Sequence, residues 1–231
     1  MASPLVHLLH HLPKPIKRQL RAARRGIGGS PIQQVFAELE RRGVTVRDAR
    51  ALEVFGGDGD LHVRDYAHRV GTLEIWDREP SVESQLRKSF PGARITIGDS
   101  FQLIRETQNH YDIVVMDNPL SYTVTPADLF MDSLQKVSVA PVFILNVVCD
   151  IDPATRRAWP AFQLLGDVEA ILERRRVMFR TQLPEHISLE QMTSVYAELA
   201  RTLGFETEWS YSRRRHYGHY LVFRLRRLVP A

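Results

Sequence analysis

Glu53-Val54-Phe55-Gly56-Gly57-Asp58-Gly59 leaves one apolar run, Ala51–Phe55, and enters a segment patterned as a helix at about Leu61–Arg69. A glycine-rich bend between a strand and a helix lets backbone N–H groups come close to a ligand at the positive end of the helix dipole. The bend therefore predicts the floor of a nucleotide-type cofactor site in an α/β domain. A dinucleotide fingerprint would place glycines as G-x-G-x-x-G. Gly57 and Gly59 supply the first two, but His62 stands at the third, which argues against a nicotinamide or flavin.

On either side of the bend, short apolar runs alternate with helical segments. Strands are predicted at Ala51–Phe55, Thr72–Trp76, Ala93–Ile97, Asp112–Met116 and Pro141–Val148. Helices fall between them at about Leu61–Arg69, Ser81–Phe90, Phe101–Thr107 and Pro126–Val137. Continuous apolar runs of this kind are buried on both faces, as in a parallel sheet covered by helices. Such alternation gives right-handed crossovers and a doubly wound, Rossmann-like α/β sheet. Further helices are predicted near Pro153–Arg176 and Ser188–Leu203, then strands at Phe205–Tyr211 and Tyr217–Arg226. The link between these last two, Ser212–His216, is too short for a parallel crossover, so they form an antiparallel hairpin. Seven strands result, mostly parallel.

Residues 1–45 read as a basic helical extension and 46–231 as the cofactor-binding domain. Within the extension, Ile16, Leu20 and Ala23 share one face of a basic helix over residues 14–25. A glycine-rich break over residues 26–31 follows, then a second helix at about Ile32–Arg42 that ends at Gly43.

The chain has 231 residues, 44% hydrophobic and 25% charged, which suits one large core. No run reaches the roughly 20 apolar residues that span a bilayer. The opening segment, broken by His7, His10 and His11, does not read as a secretory signal. A single cysteine, Cys149, excludes an internal disulfide and fits a reducing, cytoplasmic setting. No metal site is expected. The net charge of +4 is unevenly spread: no acid precedes Glu38, while Lys14, Lys17, Arg18, Arg21, Arg24 and Arg25 crowd together. A second basic cluster is Arg213-Arg214-Arg215-His216. Such patches attract anionic partners, although a solvated face has the same composition.

The strand ends carry the chemistry. The second strand ends at Asp77, about 20 residues past the bend, where a carboxylate can accept bonds from both ribose hydroxyls. The third ends in Gly98-Asp99-Ser100-Phe101, with Asp99 placed for an adenine amino group and Phe101 for its ring. The fourth ends in Asp117-Asn118-Pro119. All of these face the carboxyl edge of the sheet, where doubly wound folds bind ligands.

These motifs resemble those of the class I S-adenosylmethionine-dependent methyltransferases. Glu53-Val54-Phe55-Gly56-Gly57-Asp58-Gly59 is similar to that superfamily's acidic-x-Gly-x-Gly-x-Gly motif, with Phe55 in place of the first glycine. Asp77 matches its ribose-binding acid and Gly98-Asp99 its adenine-side acid. Tyr111-Asp112-Ile113-Val114-Val115-Met116-Asp117 looks like its fourth-strand motif, and the closing hairpin is also shared. The resemblance covers about Ala51 to the C-terminus. It implies S-adenosylmethionine as cofactor, held by Glu53, Phe55, Gly56, Gly57 and Gly59 at the bend. Asp77, Arg78, Asp99, Ser100 and Phe101 would line the nucleoside side. A second, partial likeness is to spermidine synthases, through Gly56-Gly57-Asp58-Gly59, Arg64-Asp65, Asp117 and Pro126-Ala127-Asp128-Leu129-Phe130. That likeness implies aminopropyl transfer as the alternative reaction. Leu120 replaces its second acid, however, and a basic chain is a poor host for a polycationic amine. A non-catalytic scaffold built on the same fold is the other alternative.

Methyl transfer depends chiefly on holding the acceptor in line with the sulfonium methyl. Asp117, Asn118 and Tyr122 are the candidate catalytic residues on the acceptor side, with helix capping as the plain reading of Asp117. Arg213, Arg214, Arg215 and His216 are the candidate clamp for an anionic acceptor: a nucleotide, a nucleic acid or an acidic glycan. The basic helix over residues 14–25 suits a membrane surface, a nucleic acid or a lid role.

Overall fold

The computed structural model describes residues 29–56, 62–117, 127–158, 168–215 and 218–228. Its core is a seven-stranded sheet, and the strands are β1 Arg50–Glu53, β2 Thr72–Asp77, β3 Arg94–Ile97, β4 Tyr111–Met116, β5 Val137–Val147, β6 Phe205–Arg214 and β7 His219–Arg227. They lie in the order β3-β2-β1-β4-β5-β7-β6. The first five run parallel, and β7 inserts antiparallel between β5 and β6. The mostly parallel doubly wound sheet with its closing hairpin is thus as the sequence predicts.

Alternate residues of each strand face opposite sides, so two cores form. On one side Ala51, Ile113, Val115, Ile144 and Val222 meet helices α1 (Pro31–Arg41), α2 (Val63–Tyr66) and α3 (Glu83–Ser89). On the other, Leu52, Val114, Met116, Phe143, Leu145 and Phe223 meet α4 (Ser100–Glu106), α5 (Ala127–Leu134), α7 (Val168–Phe179) and α8 (Leu189–Thr202). The short α6 (Pro153–Ala158) precedes α7. Burial on both faces explains why these strands read as unbroken apolar runs rather than as alternating patterns.

Helix α1 shows how local sequence fixes an element. Ser30 caps it: the Ser30 hydroxyl accepts from Gln33 N at 3.3 Å, and the Gln33 side chain accepts from Ser30 N at 2.8 Å. Pro31 occupies the first turn, where its missing N–H costs nothing. Ile32, Val35, Phe36 and Leu39 form a buried stripe, and Phe36 stacks on Tyr66 of α2 at 4.6 Å. Gly43 follows the helix at φ +80°. The sequence places this helix in the extension, yet its apolar face is part of the domain core.

Several boundaries differ from expectation, for identifiable reasons. Strand β5 begins at Val137 rather than Pro141. The pairing with β4 shifts register between Tyr111 and Ile113, opposite which the extra residues of β5, Pro141 among them, are accommodated. A proline that cannot donate to a ladder is tolerated at such a bulge. The single helix expected over Pro153–Arg176 is two helices, α6 and α7, and residues 159–167 lie outside the described residues. The segment Leu61–Arg69 gives only one α-turn, followed by a 3-10 turn over Ala67–Arg69. The first hairpin strand runs three residues longer than expected, so Arg213 and Arg214 belong to β6 and Arg215 is the member of the trio that leaves the strand, while β7 begins at His219 rather than Tyr217. Gly218 is required there, because a Cβ would lie 2.4 Å from the Val147 carbonyl oxygen.

Beyond β5 the chain is held by Arg175, fully buried on α7. Its guanidinium donates to the carbonyls of Val148 at 2.8 Å, Cys149 at 2.7 Å and Pro184 at 2.6 Å. Burial pulls this arginine down to about 10, toward its neutral form.

Because α1 is anchored through Phe36, Phe36→Ala is expected to cost about 3–5 kcal/mol. Denaturant unfolding would show this as a lower midpoint with an unchanged slope.

Candidate functional site

At the carboxyl edge, the apolar layers of the α1–α3 face give way to a polar one. Counting up each strand, Ala51 is followed on that face by Glu53, Val115 by Asp117, Ile144 by Asn146, and Val222 of the antiparallel β7 by Tyr220. Asn146 and Tyr220 are register partners. Four neighbouring strands thus end in a row of polar side chains, all of them buried: Glu53 0%, Asp117 2%, Asn146 1% and Tyr220 2% exposed.

The row is capped from above by α2 and by the hairpin turn. His62, just before α2, places Nε2 3.0 Å from Glu53 Oε2 and Nδ1 3.3 Å from Asp117 Oδ2. Tyr66, one turn further on, donates its hydroxyl to Glu53 Oε2 at 2.7 Å. Tyr220 donates to Asp117 Oδ2 at 2.6 Å, and Asn146 Nδ2 donates to Asp117 Oδ1 at 2.8 Å. Arg215 reaches in from the hairpin to ion-pair with Asp117 Oδ1, its guanidinium lying 4.8 Å from the centre of the Tyr220 ring. Asp117 therefore accepts from three donors, Asn146, Arg215 and Tyr220, and has the His62 ring nitrogen as a fourth polar neighbour.

The electrostatics follow from burial working against pairing. Burial alone would raise Asp117, but the neighbouring His62 and Arg215 charges and the Tyr220 hydrogen bond outweigh it and hold Asp117 below its ordinary value. Burial raises Glu53, against the pull of His62 and Tyr66. Burial would lower His62, yet the charges of Asp117 and Glu53 reverse that and carry it up to about 9. Tyr66 and Tyr220 are pushed well up by burial, and by the carboxylates they serve, so both remain hydroxyl donors. An acid that is fully bonded and held ionised is a weak proton acceptor. Asp117, a catalytic candidate in the sequence, is the centre of this hydrogen-bonded layer.

The other sequence-predicted residues divide into two groups. Gly56 donates to the Trp76 carbonyl at 2.9 Å, and a Cβ there would come 2.2 Å from the Ile75 side chain, so the bend can pack on β2 only as glycine. Phe55, the departure from the glycine pattern, packs against the α4–α8 core. Asp77 ends β2 and accepts from Glu79 N at 2.8 Å. Asp99 caps α4, accepting from Phe101 N at 2.9 Å and Gln102 N at 3.2 Å through Oδ1. Ser100 is buried and donates to the Val54 carbonyl at 3.1 Å, so it ties α4 to the bend. Phe101 is half-buried against the core and Arg78 is exposed. Gly57, Gly59, Asn118, Tyr122 and His216 lie outside the described residues.

The arginine trio does not act as a unit. Arg213 bonds the Gln34 side chain of α1, Arg215 is committed to Asp117, and Arg214 is exposed at the end of β6. Of the polar layer, the sequence singled out Glu53, Asp117 and Arg215 and missed His62, Tyr66, Asn146 and Tyr220 as its partners. His62 carried the clearest signal, as a histidine where a third glycine was sought.

No family model matches the chain, and no curated protein matches it in sequence. Among solved structures, it is similar to M. jannaschii TYW2 in complex with AdoMet, at 11% identity and a TM-score of 0.53. That match covers 84% of this chain and 76% of the other. It is also similar to the N-methyltransferase NodS from Bradyrhizobium japonicum WM9, at 13% identity and a TM-score of 0.52, over 86% of this chain and 98% of the other. The chain has the fold of the class I methyltransferases. In that fold the strand order turns back at β1: β2 and β3 lie on one side of it, β4 and β5 on the other. Glu53 and Asp117 stand on the two strands that flank this switch point, where open α/β sheets form their ligand crevice. The partial likeness to spermidine synthases gains nothing from these two structures. No helix among the described residues is long and apolar enough to cross a membrane.

Removing the Tyr220 hydroxyl leaves the ring under Arg215 and takes one donor from a buried carboxylate. Tyr220→Phe is expected to destabilise the fold by about 1–3 kcal/mol. Thermal unfolding of the two proteins at pH 7 measures the difference.

Proposed function

We propose that the protein is a methyltransferase that uses S-adenosylmethionine and acts on an anionic acceptor. One observation carries the reading: acids close four successive parallel strands, Glu53, Asp77, Asp99 and Asp117, along the edge that holds the switch point of the sheet. The structural neighbour TYW2 was crystallised with AdoMet, and NodS is an N-methyltransferase, which supports the same cofactor and reaction class here.

The residues present fit such a cofactor. Asp77 supplies the acceptor that ribose hydroxyls need at the end of β2. Asp99 uses Oδ1 to cap α4 and is exposed, which suits an adenine amino group. Gly56 lets the backbone run close over β2 on its way to Gly57 and Gly59. The bound cofactor would supply an electrophilic methyl on sulfur. The protein's own task is then to hold the acceptor in line with it, by proximity and orientation. Asn118 and Tyr122 follow Asp117 in the chain and are the proposed acceptor-side residues. Arg214, the exposed member of the trio, supports an anionic acceptor, as does the acid-free basic stretch before Glu38.

Calorimetry with S-adenosylmethionine tests the cofactor, and no heat at millimolar ligand would defeat the proposal. Asp77→Ala is expected to weaken binding by about 10- to 100-fold, the loss of one or two hydrogen bonds to a charged acceptor. Unchanged affinity would overturn the placement of the ribose. Mass spectrometry of products then separates the gain of a methyl group from the gain of an aminopropyl group.

A further inference from the structure

Among the described residues, His62 is the side chain that touches both buried carboxylates of the switch point. The groups among the described residues that face it are Glu53 from β1, Asp117 after β4, Tyr66 from α2, Arg215 from the hairpin turn and Tyr220 from β7. Each ring nitrogen has its own carboxylate: Nε2 at 3.0 Å from Glu53 and Nδ1 at 3.3 Å from Asp117. A neutral imidazole carries a single N–H and can donate to only one of them, whereas an imidazolium donates to both. Glu53 Oε2 takes the Tyr66 hydroxyl as well as His62 Nε2, and Glu53 Oε1 accepts from Phe55 N at 3.4 Å, so both oxygens of the carboxylate face donors.

We propose that His62 is a positioning residue: as an imidazolium it clamps Glu53 and Asp117 together across the β1–β4 switch point, and the site loosens when the ring loses its proton. The four charges of the cluster then cancel, with His62 and Arg215 against Glu53 and Asp117. Loss of the proton from the ring leaves two buried carboxylates facing one arginine.

The sign of the pH dependence follows. The ring is raised from an ordinary 6.5 to about 9 in the folded chain. A raised histidine contributes its full stabilisation below pH 6.5 and loses it as pH climbs through about 9. Asp117, held low, contributes throughout that window and fades only in acid. The shift corresponds to a folding equilibrium favoured by roughly a few hundredfold at the acid end of the window relative to the alkaline end.

Two measurements on the full chain without ligand decide the matter. Nitrogen-15 NMR of the histidine rings in the native protein at pH 7.5 is expected to show His62 protonated at both nitrogens and titrating near pH 9. A ring with one bare nitrogen at pH 7.5, its proton held on Glu53 instead, would overturn the clamp. Unfolding midpoints from pH 6 to 10 are expected to fall between about pH 6.5 and about 9 in the native chain and to level off above that. In His62→Gln they should start lower and stay flat. An equal alkaline fall in both proteins would also overturn the clamp. Neither readout needs the cofactor, so failure of the native protein to bind S-adenosylmethionine would count against the proposed function alone.

Discussion

Two carboxylates buried on adjacent strands, stripped of water and close enough to share one imidazole, would drive the sheet apart unless cations and donors were brought to them. The upper edge of this molecule is arranged around that constraint. Glu53 and Asp117 sit where the apolar layers of the sheet end, and every element above them sends down a donor. The loop before α2 gives His62, α2 gives Tyr66, β5 gives Asn146, β7 gives Tyr220 and the hairpin turn gives Arg215. A buried charge that lost one of these partners would be left uncompensated, which is far more costly than never having buried the pair. The network therefore specifies geometry: the strands, α2 and the hairpin must meet in a single arrangement for all the donors to be satisfied at once.

The same logic reaches outward to elements that touch no charge. Tyr66 can present its hydroxyl to Glu53 because its ring is stacked on Phe36, and Phe36 is held by a helix whose start is fixed by Ser30, Gln33 and Pro31. Arg215 can reach Asp117 because the turn is pressed against the β5 backbone, so closely that position 218 must be glycine. A capping box at one end of the domain and a hairpin glycine at the other thus converge on one oxygen-rich corner.

Much of this was legible in the sequence, and the limits are physical. Parallel strands buried on both faces announce themselves as apolar runs, so the strands and their mostly parallel sheet could be read directly. Acids at strand ends were visible because each stands alone after an apolar run. Asp77, Asp99 and Asp117 were found in this way, and Glu53 through the glycine bend that follows it. Their partners were not. Tyr220 meets Asp117 only through the pairing of β7 with β5, a register that depends on contacts between distant parts of the chain. Asn146 reads as one polar residue in a strand, and Tyr66 as an aromatic on a short helix. The arginine cluster misled in the opposite direction, because three consecutive residues of a strand and its turn point different ways. Their shared charge in sequence becomes two separate contacts, Arg213 with Gln34 and Arg215 with Asp117, beside one exposed side chain, Arg214.

His62 concentrates the difference between the two levels. Against the dinucleotide pattern it is a missing glycine, and it removes one class of cofactor from consideration. In the folded chain the same residue is what makes the acidic switch point tolerable. A third glycine would have let the helix pack closer to the sheet and given room to a pyrophosphate at its N-terminus. A histidine instead places positive charge between the ends of β1 and β4, and it competes for the space and the carboxylates that such a ligand would have left free. The substitution that argues against a dinucleotide is therefore also the device that holds two acids in register at the edge of the crevice. A ligand entering beside Glu53 meets a carboxylate already oriented by His62 and Tyr66, not one that must first be ordered.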